Sequence, residues 1–271
     1  MIRVVALILS IIVVSTAEAQ DRFIRLGSTT SAQDSGLFGY ILPLFSAATG
    51  IAVHVVAVGT GQALAMGRRG DVDALLVHDR IGENKFVADG YGMDRRDVMY
   101  NDFIIVGPNT DPAGILGFKN ARTALTQIAA AKAPFASRGD DSGTNRMELR
   151  LWKSAGIQPD PHSGWYLDVG QGMGPTLNIA AAMNAYTLTD RATWANFKNR
   201  QRLEILTQGD PALFNSYSSI LVNSARWPKV KINDARIWHE WLTSKSGLDA
   251  ITSYKIDGEE VFFPPRAEEI H

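Results

Sequence analysis

Apolar residues along this chain change spacing repeatedly. Leu37, Tyr40, Ile41, Leu44, Phe45 and Ala48 fall three and four apart. That spacing predicts one face of a helix, with Asp34 or Ser35 as its cap and Gly50 as its stop. The next run, "IAVHVVAV" (51–58), is β-branched and reads as a buried strand, in which His54 is expected to be a satisfied interior residue. Gly59-Thr60-Gly61 follows and leads into another short helix. "DALLVH" is strand-like again, "IGENKFVADG" a helix ending at Gly90, and "VMYNDFIIVG" (98–107) a strand longer than most.

The same alternation fills the rest of the chain. A helix over 121–131 precedes the short strand "PFAS", the loop 138–143 and a helix over 144–155. "WYLDV" reads as a strand, "GQGMG" as a turn, and 175–184 as a helix with Pro175 at its first position. The segment "NDARIWHEWLTSKSGLDAITSY" predicts two helices with Trp238, Trp241 and Leu242 turned inward; Trp152 and Trp165 also read as core. Strand following helix over most of the length predicts an α/β protein of mixed, mainly parallel sheets flanked by helices.

Three of the strand-to-helix turns carry unusual residues: Ser28-Thr29-Thr30-Ser31, Gly59-Thr60-Gly61, and "SRGDDSGT" (137–144). A helix start offers unpaired N–H groups and partial positive charge, hydroxyls add donors that rotate, and glycine lets backbone come close to a ligand. Arg138 adds a guanidinium, whose fork suits oxyanions. The plainer reading is helix capping, with Asp140 and Asp141 as caps or as orienters of Arg138. Three such turns in one chain shift the balance toward an anion site.

Composition narrows the field. The net charge is -1 with no basic cluster, which disfavours nucleic acid, and the absence of cysteine removes disulfides, thiolate metal sites and cysteine nucleophiles. There is no G-x-S-x-G, P-loop, H-E-x-x-H or G-x-G-x-x-G motif, and the five histidines lack metal-ligand spacing. Asp71 and Asp73 stand too near a turn to serve as an acid–base pair. At the start, Arg3, the apolar run "VVALILSIIVV" and Ala17-Glu18-Ala19 spell an export signal over 1–19. That run is shorter than the about 20 apolar residues a membrane span needs.

Taken together, "STTSAQDSGLFGYILPLF", "VVAVGTGQALAMGRRGDVDALLVHD", "KFVADGYGMDRRDVMYNDFIIVGP", "SRGDDSGTNRMEL", "GQGMGPTLNIA" and "YTLTDRATW" resemble the periplasmic tungstate-binding proteins of ABC importers, the TupA type. The likeness runs over nearly the whole chain after the signal. It departs from the family at Ser28, where the hydroxyl run usually begins with threonine. The resemblance implies a two-lobed periplasmic-binding-protein fold of type II, with the ligand in the cleft between lobes. It implies lobe 1 from 22–103 plus 208–271 and lobe 2 from 104–207, joined by "NDFIIVG" and by a return strand "LEILTQGD" (203–210). Ser28, Thr29, Thr30, Ser31 and Thr60 would face the anion from one lobe. Arg138, Ser142, Thr144 and the backbone of Met173 and Gly174 would face it from the other. The implied ligand is tungstate or molybdate held through its oxygens, with no cofactor and no metal cation. The implied partner is an inner-membrane permease, and the protein would be a periplasmic monomer without enzymatic activity. Phosphate- or sulfate-binding transport proteins are the nearest rivals, and a secreted ester hydrolase a more distant one.

Overall fold

The structure is a computed structural model describing residues 22–265, so the export signal expected over 1–19 lies outside the described residues. The chain opens with β1 (Phe23–Thr29), the short α1 (Thr30–Asp34), α2 (Leu37–Thr49), β2 (Ala52–Val58), α3 (Thr60–Arg69), β3 (Ala74–Val77) and α4 (Arg80–Ala88). The long β4 (Gly92–Pro108) then leads to α5 (Ala121–Ala130), β5 (Phe135–Ser137), α6 (Gly143–Ser154), β6 (Tyr166–Asp168), α7 (Met173–Met183), β7 (Thr187–Asp190), α8 (Arg191–Asn196) and β8 (Leu203–Thr207). The chain finishes with β9 (Phe214–Val222), α9 (Ile232–Thr243), α10 (Lys245–Ser253) and a small hairpin of β10 (Lys255–Ile256) and β11 (Glu259–Glu260).

The main sheet runs β2-β1-β3-β9-β4-β7, with β8 also on β4. Pairing is parallel within β2-β1-β3 and in the separate β5-β6 pair, as βαβ crossovers require. It is antiparallel wherever β9 or β4 takes part, because these strands carry the chain across and back. β4 is 17 residues long. Gly92 to Asp102 pair with β9, and from Phe103 onward the same strand pairs with β7 and β8. One continuous strand therefore belongs to both lobes.

Period-two side-chain placement explains the apolar runs. In β3, Ala74 and Leu76 enter a core with Ile24, Phe45 and Trp238, while Leu75 and Val77 enter one with Leu64, Phe86 and Ile220. In β4, Phe103 and Ile105 join Leu125, Phe135 and Trp152, while Ile104 and Val106 join Leu177 and Trp194. β3 and the Phe103–Pro108 half of β4 are buried on both faces, so neither stretch shows alternation in sequence.

Several expectations are corrected. β2 is an edge strand with His54 exposed and stacked on Phe23 at 4.6 Å, so its β-branched content reflects strand propensity and not burial. The helix expected from Leu37 is capped by Gly36 at φ 82, and Asp34 and Ser35 belong to a separate turn before it. Leu37, Ile41 and Phe45 are buried, whereas Tyr40 and Leu44 face outward. α7 begins at Met173, two residues ahead of Pro175. The return crossing is not one strand: β8 ends at Thr207, a 3-10 turn occupies Pro211–Leu213, and β9 starts afresh at Phe214.

Candidate functional site

Ser28 to Ser31 sit where β1 becomes α1. The four hydroxyls have different bonds. Ser28 Oγ donates to the carbonyl of Leu76 at 2.7 Å, fastening β1 to β3. Thr29 caps α1, its Oγ1 accepting from the N–H of Ala32 at 3.2 Å. Thr30 Oγ1 and Ser31 Oγ accept from the guanidinium of Arg138, at 2.8 and 3.0 Å.

Arg138 follows β5, on the opposite lobe, and its side chain is 1% exposed. Asp140 Oδ2 accepts from the same guanidinium at 2.5 Å, and Asp140 Oδ1 from the N–H of Ser142 at 3.2 Å. Asp140 is thus the residue that orients Arg138. Ser142 caps α6, accepting from the Asn145 N–H at 3.1 Å. Asp141 turns outward at φ 56 and pairs with Arg146. Two buried donors at this turn have no hydrogen-bond partner: Arg138 Nε and Thr144 Oγ1.

Thr60 lies against the α6 start, its Oγ1 accepting from the Gly143 N–H at 3.1 Å. The neighbouring glycines have a steric purpose. A methyl at Gly59 would sit 2.9 Å from the Asp140 carbonyl, one at Gly143 2.7 Å from the His78 carbonyl, and one at Gly61 would overlap Asp141. The glycines let one lobe's backbone close on the other's, in addition to any approach to a ligand. Asp79 extends this contact with ion pairs to Arg146 at 2.7 Å and Arg150 at 2.9 Å. The Gly174 N–H donates to Asp34 Oδ2 at 3.2 Å, and a methyl at Gly172 would touch Thr30 at 3.5 Å, which brings the start of α7 to the hydroxyl run.

Ser28 apart, the hydroxyls share one property. Thr29, Thr30, Ser31, Thr60 and Ser142 each accept from an N–H, so each keeps its own proton to give. Arg138 Nε and Thr144 Oγ1 add two unpartnered polar atoms to this cluster, which is therefore rich in donors that the fold leaves unused.

A family model described as a PBP superfamily domain matches residues 14–246. The tungstate-binding protein TupA of Peptoclostridium acidaminophilum is 44% identical over 244 residues, covering 89% of this chain and 84% of that protein. The chain belongs to the TupA-type substrate-binding proteins. Among solved structures of this family's kind, the tungstate ABC transporter protein of Geobacter sulfurreducens is 50% identical, with a TM-score of 0.78 over 86% of this chain and 98% of that one. The TupA of Desulfovibrio alaskensis G20 is 44% identical, with a TM-score of 0.75 over 90% of this chain and 99% of that one. These relatives are named as binding or transporter proteins and not as enzymes.

In this TupA-type chain three further polar residues, none of them a ligand candidate in the sequence, stand close to the same cluster. Asp34 reaches across to α7; burial pushes its carboxyl above the usual range, against the pull of the Gly174 N–H and Arg138. His78, at the end of β3, is stacked on Tyr217 at 4.7 Å, and burial pushes its ring down to about 4, so it is neutral. Asp190 caps α8 and is fully buried. A cap at Asp190 was readable from Asp-Arg-Ala-Thr ahead of a helix; its nearness to Arg138 depends on folding and was not. Among the described residues no cluster of His, Asp or Glu is placed to hold a metal ion, and no helix is long and apolar enough to cross a membrane.

Proposed function

We propose that this protein captures tungstate, with molybdate as a second ligand, in the periplasm and delivers it to an ABC permease of the inner membrane. The observation that carries the reading is the buried guanidinium of Arg138, set against Thr30 and Ser31 of the facing lobe with its Nε unpartnered. The tungstate-binding names of its relatives support the choice of ion. Tungstate, molybdate and sulfate carry no proton at neutral pH, so a wall of donors suits them. Phosphate carries one and calls for an acceptor.

The binding set is Thr29, Thr30, Ser31 and Thr60 from lobe 1, and Arg138, Ser142, Thr144 and the start of α7 at Met173 from lobe 2. Ser28 holds β1 to β3 through Leu76, and Gly174 is engaged by Asp34. The division proposed here puts 22–103 and the chain from 208 onward in lobe 1 and 104–207 in lobe 2; it is supported by the change of partner on β4 from β9, last paired at Asp102, to β7, first paired at Phe103. The dianion is bound by fixed dipoles, the helix starts of α6 and α7 among them, and is released unchanged.

The test is a thermal-shift series on the exported form with tungstate, molybdate, sulfate and phosphate at equal concentration. A ligand at a thousand times its Kd adds about 4 kcal/mol, roughly 10 °C for a chain of this size. A large shift with tungstate and none with phosphate is expected. Phosphate alone producing the shift overturns the choice of ion, and silence from all four overturns the anion site.

A further inference from the structure

Asp190 does not fit a wall of donors. Its Oδ1 accepts from the Thr193 N–H at 2.9 Å and from the Asn101 side-chain amide at 3.3 Å. Its Oδ2 is buried and has no partner. The side chain stands beside the anion cluster: Thr193 Oγ1 donates to the Ser31 carbonyl at 3.2 Å, Ser31 Oγ bonds Arg138, and the Arg138 charge acts on the Asp190 carboxyl.

The polar chain behind Asp190 settles which of its oxygens is engaged. Asn215 donates through Nδ2 to Asn101 Oδ1 at 2.7 Å and toward Tyr217 Oη at 3.3 Å. Its Oδ1 is then the acceptor for His78 Nδ1 at 2.9 Å. Asn101 passes the same polarity on, its amide hydrogens pointing to Asp190 Oδ1. The Thr193 N–H and the Asn101 amide both go to Oδ1, and Oδ2 has no partner.

We propose that Asp190 carries a hydrogen on Oδ2 in the ligand-bound protein and gives it to the bound oxyanion, as one more donor in the site. This rests on the anion-site reading above. An ionised Asp190 would place a bare, undonated negative oxygen beside a dianion in a dry cleft, which is unfavourable on both counts. Protonated, the same atom has the polarity of Thr144 Oγ1 and Arg138 Nε. Burial independently favours the neutral acid, since it raises this carboxyl above its ordinary range. The groups facing it are Thr193 on α8, Asn101 on β4, Tyr217 on β9, Ser31 on α1 by way of Thr193, and Arg138 after β5. His78 stands neutral at the far end of the chain. Arg138 is the cation among them; it also bears on the carboxyls of Asp34 and Asp140. The hydrogen is either present before the ion arrives or taken up from water with it; no bond to tungsten is involved.

The experiment is infrared difference spectroscopy of tungstate-bound wild type against tungstate-bound D190N in water and in heavy water, together with tungstate affinities of wild type, D190N and D190L. The expected result is a protonated-carboxyl C=O band that moves down in heavy water and is missing from D190N. D190N, whose amide N–H can replace the O–H, should stay within about threefold of wild type, and D190L should bind at least about tenfold more weakly. Wild type that binds tungstate without the band overturns this inference alone, as does a D190L that binds like wild type. Wild type that binds no tungstate overturns the ligand reading and this inference with it. The spectrum of D190N does not depend on whether D190L folds.

Discussion

The two walls of the cleft are built from similar letters and behave differently. On the β1–α1 wall, Ser28 and Thr29 are tied into their own lobe, one donating to Leu76 and the other capping a helix. On the wall leading into α6, a guanidinium 1% exposed and a threonine hydroxyl keep unpartnered donors. In the proposed site the first wall would supply shape and neutral donors. The second supplies charge, and Thr30 and Ser31 join the two only by accepting from Arg138. A hydroxyl-rich turn is thus weak evidence of binding by itself, because local backbone absorbs part of it.

The comparison is broken most directly at the charge. Arg138→Ala should weaken tungstate binding by about 2–5 kcal/mol in calorimetric titration, since it also leaves Asp140 unpaired. An affinity within twofold of wild type would move the site elsewhere. The next effect concerns the support behind that wall. Glu148 on α6 is buried, accepts from Trp152 Nε1 at 3.0 Å and Tyr166 Oη at 2.7 Å, and burial raises it to about 7. The folded state holds its proton more tightly than the unfolded state does, so the stability it contributes is full below about pH 4.5 and lost as pH rises through about 7. Glu148→Gln should flatten that window and raise the thermal midpoint at pH 8, by up to roughly 3 kcal/mol of stability. An unchanged melting profile across pH would show that the acid is not held neutral.

Smaller effects separate the walls atom by atom. Thr144→Val keeps shape and deletes an unused donor, so affinity should fall by about 1–3 kcal/mol with little change in melting temperature. Ser28→Ala should do the reverse: about 1 kcal/mol of stability lost with affinity nearly intact. Equal losses of affinity in the two variants would erase the contrast.

The sequence made the order of elements legible because period and punctuation are local. It also located the three turns that meet in the cleft. What stayed hidden depends on contacts distant in sequence. Edge placement of β2 is decided by sheet order, so nothing in "IAVHVVAV" marks it as half-exposed. The break between β8 and β9 was obscured because "LEILTQGD" has strand composition up to Thr207, and the turn comes only at Pro211–Leu213. Asp34, His78 and Asp190 are each held near the Arg138 cluster by residues far away in sequence: Gly174, Asn215 and Asn101. The glycines of Gly59-Thr60-Gly61 were read as making room for a ligand, and they also make room for the facing lobe.

The position of β9 bears on the order of assembly. It comes last among the strands of the main sheet, yet lies between β3 and β4. Until residues 214–222 have been synthesised, those two strands have no bridge between them and each presents an unpaired edge. The β7 and β8 contacts on β4 need nothing beyond residue 207. A chain cut short before β9 would thus keep the pairing of its middle segment and display sticky edges elsewhere, the state that a holding chaperone would have to shield while synthesis is unfinished.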